Sequence, residues 1–191
     1  MSELDECYAY KLPHTNNEDD VFPRISLETM FNVMKGNYRG NYDRSIIVDC
    51  RFDYEYKGGH IDGAVNFSHE ELIISHLFSA PAVGCTLLIF HCEYSKLRAP
   101  TMAYHIRAKD RNENSGQYPK LSFPEMYILD GGYSAFFNQH LDSCTPRGYV
   151  GMDAEEYTAV RDLELARIRR AIKGRSYHLL EASAGASSQR R

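Results

Sequence analysis

Long apolar runs, a recognisable secretory pattern in the opening residues and an excess of positive charge are not seen in this sequence, and each narrows what is expected of it. No stretch approaches the roughly 20 apolar residues that a membrane span requires, so no membrane role is expected. The opening MSELDECYAY has no basic region followed by an apolar run, so no secretory signal is expected. The formal charge is −4 over 191 residues, which gives no electrostatic reason to expect a nucleic acid as partner. No C-x-x-C pair occurs among the five cysteines, so a structural zinc site is not expected. Their odd number and irregular spacing do not make a disulfide framework. Such thiols belong in a reducing intracellular compartment, where they stay available for chemistry.

What is present suffices for one core: 43% of residues are apolar and 25% charged. Residues 1–20 are polar, include the run NNEDD, and read as a flexible arm. Residues 21–175 read as one domain and 176–191, low in complexity, as a tail. Inside the domain, Ser26 is placed to cap a helix whose Leu27, Met30, Phe31 and Met34 share a face, with Gly36 closing it. Ser45–Asp49, Ala64–Phe67, Thr86–Phe90 and Met126–Leu129 read as strands. Helical spacing covers Glu70–Phe78, about Arg98 to Asp110, and YSAFFNQH after the turn DGG. A last helix is expected from Asp153, with Glu156 completing a capping box, to near Gly174, where a basic final turn suits the dipole. Short apolar strands alternating with helices indicate an α/β domain with a central, mainly parallel sheet flanked by helices.

The most apolar strand runs directly into HCEYSKLRAP, and its layout is strand, Cys92, five residues, Arg98, helix. A cysteine of ordinary acidity, near pKa 8.5, is mostly protonated at neutral pH and a poor nucleophile. At the entrance of a helix, unpaired amides and the positive end of the macrodipole stabilise its thiolate. The amides from Glu93 through Tyr94, Ser95, Lys96 and Leu97 to Arg98 can converge on phosphoryl oxygens. Arg98 closes the ring with a planar fork that lysine cannot reproduce. Cys92 then attacks phosphorus, and water hydrolyses the phosphocysteine.

Around that loop the sequence resembles the M-phase inducer (cell division cycle 25 type) dual-specificity phosphatases. The resembling segments are IIVDCRFDYEYKGGHIDGAVNF, LLIFHCEYSKLRAP, YPKLSFPEMYILDGGYSAFF and YVGMDAEEY, in the family's order, over roughly residues 21–165. The resemblance implies a rhodanese-like fold, no cofactor and no metal. It makes Cys92 the nucleophile, Arg98 the phosphate clamp, residues 93–97 the cradle, and His91 a residue that orients the loop. Cys50 matches the family's second cysteine, which can pair with an oxidised nucleophile; read without the resemblance, it is core packing. His60 and its glycines read as structural, Asp49 and Arg51 as braces of the sheet. Cys7, Cys85 and Cys144 carry no motif.

The resemblance also implies a substrate: a phosphorylated cyclin-dependent kinase–cyclin complex, met by a monomer in the cytoplasm and nucleus. Arg107, Arg111 and Tyr118 match docking positions that a basic surface could use; charge pattern alone leaves them a solvated helix face. The pattern departs at Leu97, where animal members often carry a carboxylate. Glu93 is then the carboxylate within the loop, either a proton donor or a shaper of the pocket mouth. Thr101 and Tyr104 stand where two family arginines do. The alternative activity is arsenate reduction on the same fold. Sulfur transfer usually needs a loop one residue shorter, and a non-catalytic module would usually have lost Cys92 or Arg98.

Overall fold

The computed structural model describes residues 10–16 and 20–170. The chain divides into two compact units, Met1–Gly151 and Met152–Arg191. The first unit is built on strands β1 (Arg24–Ile25), β2 (Arg44–Asp49), β4 (Val65–Asn66), β5 (Thr86–His91) and β6 (Met126–Leu129). They form one parallel sheet in the order β1-β6-β5-β2-β4. Strands β3 (His60–Ile61) and β7 (Cys144–Thr145) pair separately as an antiparallel ribbon.

Alternation along the central strands sorts the core into two layers, because successive strand side chains point to opposite faces. Ile46, Val48 and Cys50, Leu88, Phe90 and Cys92, and Met126 and Ile128 share one layer. Helices α3 (Glu70–Leu77) and α4 (Arg98–Glu113) complete it with Ile73, Leu77, Ala99, Met102, Ala103 and Ile106. The intervening residues Ile47, Leu87, Ile89, Tyr127 and Leu129 face α1 (Leu27–Met34) and α5 (Gly132–Gln139). Strands buried on both faces read as continuous apolar runs, which is why they were legible.

The expected elements stand, with differences at their edges. Ser26 caps α1, its hydroxyl accepting the amide of Thr29 at 3.1 Å, and Gly36 follows in the left-handed conformation at φ 79°. Within the span read as an arm, residues 10–16 are built into the fold. Leu12 is buried, and its amide donates to the Tyr127 hydroxyl at 3.0 Å. A short helix, α2 (Asp53–Lys57), occupies a stretch that shows no helical periodicity because it is barely more than one turn.

In the second unit the capping box at Asp153 does not form. Asp153 sits in a turn and pairs instead with Arg161 at 3.1 Å. A 3-10 turn, Glu155–Tyr157, precedes the α-helix, which starts at residue 158 and is described to residue 170. Its expected basic end near Gly174 and the tail at 176–191 lie outside the described residues, as does Cys7. Among the described residues no helix is long and apolar enough to cross a membrane.

Candidate active site

β5 is buried along its whole length, and its C-terminal end delivers Cys92, only 4% exposed, to the mouth of the loop. The loop from Glu93 to Leu97 is held from two directions. Ser95 takes a left-handed backbone, φ 54°, the kind of local geometry that turns successive amides to one side. Arg24 of β1 donates to its carbonyl at 3.1 Å. At the loop's start, the amides of Tyr133 and Ser134 in α5 donate to the carbonyls of Cys92 and Glu93, each at 2.9 Å. Gly132 permits that approach: a Cβ there would lie 2.4 Å from the Cys92 carbonyl oxygen. Among the described residues, no backbone carbonyl accepts the amides of Tyr94, Ser95, Lys96 or Leu97. Unclaimed amides around a nucleophile are what a bound oxyanion needs. Tyr94, Lys96 and Leu97 point outward, whereas the Ser95 side chain is buried.

Arg98 opens α4 beneath the loop, its guanidinium 4.7 Å from the centroid of the Phe52 ring. Both its terminal nitrogens bond Glu55 of α2, Nη2 at 3.0 Å. Glu55 is fully buried and also accepts the Phe52 amide at 2.9 Å. Burial pushes the Glu55 carboxyl upward, and Arg98 only partly offsets it. On Arg98 burial acts downward, but Glu55, Cys92 and Glu93 more than reverse it, so the guanidinium stays charged. The sequence reading gave Glu55 and Phe52 no role. The available signal was a carboxylate between two tyrosines in the segment DYEYK.

Glu93 is buried, 6% exposed, and its Oε1 accepts the Tyr149 hydroxyl at 2.7 Å. Its Oε2 stands 3.9 Å from Arg98 Nη2. Tyr149 lies far along the chain and was also missed.

Cys50 and Cys92 end neighbouring parallel strands on the same face of the sheet, and the Cys50 amide donates to the His91 carbonyl at 2.8 Å. Adjacent strands lie about 4.8 Å apart, within the Cα separation of roughly 4.4–6.8 Å that a disulfide spans. Both thiols are free in this structure. Burial, then the charge of Cys92, pushes the Cys50 thiol well above its ordinary value.

On the opposite face Arg51 and Asp49 form a fully buried bidentate pair, closest at 2.7 Å. Arg51 also donates to the Gly59 carbonyl at 2.7 Å and lies 3.8 Å over the Tyr133 ring. His91, completely buried beside them and stacked on Tyr133, is pushed down to about 4 by burial and is therefore neutral. His60 stacks on Tyr56 and bonds its carbonyl at 2.9 Å, away from the loop.

The three docking positions do not share one environment. Arg107 is buried, donating to the carbonyls of Phe123 and Pro124 at 2.9 and 3.0 Å and pairing with Asp110. It holds a loop onto α4 and is not the surface cation that the resemblance implies. Arg111 and the 87% exposed Tyr118 do reach the surface. With Tyr10 and Lys120 they line a groove of about 370 Å³. Arg111 lies about 20 Å along α4 from Arg98, at 1.5 Å per helical residue.

A model of the rhodanese-like domain family matches residues 33–139. An M-phase inducer phosphatase of Emericella nidulans is 44% identical over 175 residues, 91% of this chain and 31% of the relative. The M-phase inducer phosphatase of Schizosaccharomyces pombe is 43% identical over 77% of this chain and 24% of its own length. The chain thus spans a third or less of the curated relatives it matches. A solved Saccharomyces cerevisiae protein, described as a homolog of single-domain rhodanese and Cdc25 phosphatase catalytic domain, superposes with a TM-score of 0.52. It is 20% identical, over 66% of this chain and 88% of that one, and speaks for the fold. With the sheet order, the loop after β5 and these similarities in agreement, the chain belongs to the rhodanese-like domain family, in the company of the M-phase inducer phosphatases.

Proposed function

We propose that this protein is a dual-specificity protein phosphatase that works through a phosphocysteine. The observation that carries the reading is Cys92 at the end of a buried strand, next to loop amides that no backbone carbonyl accepts among the described residues, with a charged Arg98 beneath. Cys92 thiolate attacks phosphorus in line and the ester oxygen leaves. Water then attacks the phosphocysteine, releasing phosphate and regenerating the thiolate. Charge in transit spreads over equatorial oxygens that the loop amides and Arg98 meet. The phosphatase names of relatives 41–44% identical support this over arsenate reduction.

In this reading the substrate is a phosphorylated cyclin-dependent kinase–cyclin complex, and the enzyme promotes passage from G2 into mitosis as a monomer in the cytoplasm and nucleus. Arg111 and Tyr118 contact the substrate protein far from the reacting phosphorus. Cys50 captures an oxidised Cys92 as a disulfide, sparing it further oxidation. The test presents a doubly phosphorylated kinase–cyclin complex and a small aryl phosphate to one preparation. Turnover of both is expected to vanish in Cys92→Ser. A strong preference for the complex is expected to fall about ten-fold in Arg111→Ala, as loss of a charged interface contact does. Equal turnover by wild type and Cys92→Ser refutes the catalytic assignment; an unchanged preference in Arg111→Ala refutes the docking assignment.

A further inference from the structure

Arg24 lies on β1, at the edge of the sheet, and is nevertheless only 9% exposed. β6 separates β1 from β5, so the strand that delivers the loop is two strand spacings away, about 10 Å. A long, forked side chain crosses that gap. Its Nη2 donates to the Ser95 carbonyl and to Oδ1 of Asp20, each at 3.1 Å. Nε bonds the other oxygen of Asp20, and Nη1 reaches Asp130 at 3.4 Å. The root of the side chain is fixed as well, because the Pro23 and Ile25 carbonyls accept the amides of Ile128 and Asp130 at 3.0 and 2.9 Å. Hydrogen bonding to Asp20 raises the Arg24 guanidinium above its ordinary value, so it stays charged.

A trans peptide sets its carbonyl and its N–H on opposite sides. With the Ser95 carbonyl turned out to Arg24, the Lys96 N–H of the same peptide is turned the other way, into the loop. The Tyr133 and Ser134 amides hold the Cys92 and Glu93 carbonyls in the same manner. Thus α5 orients the peptides that open the loop, and Arg24 orients one on its far side. Ser95 is where such a hold is needed. A non-glycine residue at φ 54° sits in a sparsely populated region, and its buried hydroxyl has no hydrogen-bond partner among the described residues. The carbonyl contact, not the side chain, therefore keeps this backbone in place. A reversed Ser95–Lys96 peptide would present a carbonyl oxygen to an incoming oxyanion and repel it.

We propose that Arg24 is a positioning residue of the oxyanion cradle: its guanidinium fixes the Ser95–Lys96 peptide so that the Lys96 amide meets the transferring phosphoryl group. The inference rests on the phosphatase reading and deepens it. Arg24 touches no reacting atom and acts only through the peptide it holds, whereas Cys92 and Arg98 meet the phosphate directly. Lysine at position 24 separates this role from charge compensation of Asp20 and Asp130. Its Nζ falls where the guanidinium carbon of arginine lies, beside Asp20 but a bond short of the Ser95 carbonyl. Arg24→Lys thus keeps the cation and releases the peptide.

The test titrates tungstate, a phosphate-shaped oxyanion, into protein with isotope-labelled lysine amides followed by NMR, the Lys96 resonance being assigned through Lys96→Arg. In the wild type the Lys96 amide is expected to shift as tungstate saturates the loop. In Arg24→Lys it is expected to stay in place, with tungstate bound about ten-fold more weakly and kcat on an aryl phosphate lowered at least about ten-fold, towards the 10²–10³ that loss of one oxyanion donor costs. Arg24→Met, which removes the charge as well, is expected to bind tungstate no worse than Arg24→Lys but to unfold at lower urea; should it not fold at all, Arg24→Lys decides alone. A Lys96 amide that shifts equally in Arg24→Lys, or tungstate held by that variant as tightly as by the wild type, overturns the proposal. The titration needs no turnover. Aryl phosphate turnover that survives Cys92→Ser overturns the phosphatase reading instead, so the two failures are separable.

Discussion

Replacing Glu55 with Gln removes a negative charge from under Arg98 while keeping nearly the same shape and an acceptor for the Phe52 amide. Arg98 is 9% exposed and Glu55 0%, so solvent cannot take over the lost partner. Breaking a buried pair from one side costs about 3–5 kcal/mol, because a desolvated charge is left uncompensated. Two features reduce that figure here. Burial already holds Glu55 upward, so neutralising it recovers part of its own desolvation cost. Glu93 Oε2 also remains 3.9 Å from Arg98 as a counter-charge. A loss of about 2–3 kcal/mol is expected, at or just below the lower edge of the range for one-sided removal. In urea, with a slope of about 1–3 kcal/mol/M, the midpoint falls by about 0.7–3 M. An added oxyanion such as tungstate meets an Arg98 no longer neutralised by Glu55, and is expected to raise the variant's Tm by more than the wild type's. If Glu55→Gln unfolds at the wild-type midpoint and tungstate stabilises both equally, the claim that Glu55 governs the charge of Arg98 is refuted.

His91 gives a pH signature. Its folded pKa, about 4, is depressed below the ordinary 6.5, so as pH falls through 6.5 the unfolded chain takes up a proton that the folded chain refuses. Its contribution is complete above about pH 6.5 and is lost progressively towards pH 4, by about 3 kcal/mol at 1.36 kcal/mol per unit. Urea midpoints between pH 7 and 4 are expected to fall less steeply in His91→Gln, and parallel curves contradict the assignment. Gly132→Ala pushes a methyl against the Cys92 and Glu93 carbonyls; turnover is expected to drop at least ten-fold, with a loss of roughly 1–3 kcal/mol in stability. Wild-type kinetics in that variant would show that α5 does not hold the loop. Peroxide-treated wild type is expected to recover activity with a thiol reductant, whereas Cys50→Ser recovers much less. Mass spectrometry tests the same idea, since a 50–92 disulfide absent from the oxidised wild type removes the resolving role.

The sequence by itself determined four strands, β2, β4, β5 and β6, and the loop, while β1, β3 and β7, two residues each, were too short to show a pattern. These features are local: Leu87–Phe90 is an unbroken apolar run because both faces of β5 are covered, and Cys92, five residues and Arg98 are contiguous. It also held the cap at Ser26, where the hydroxyl bonds an amide three residues away. Only tertiary structure decided what those residues meet. Glu55 is forty-three positions from Arg98 and Tyr149 fifty-six from Glu93. The ion pair and hydrogen bond exist because the sheet order brings separate segments to one end of β5, and no periodicity announces a contact of that kind. Arg107 makes the same point in reverse. Its charge and helical position suggest a surface, yet folding places the carbonyls of Phe123 and Pro124 around its guanidinium. Spacing fixes which residues can share a face of one element; packing of distant elements against that face fixes whether a charge there serves a partner, a substrate or the fold itself.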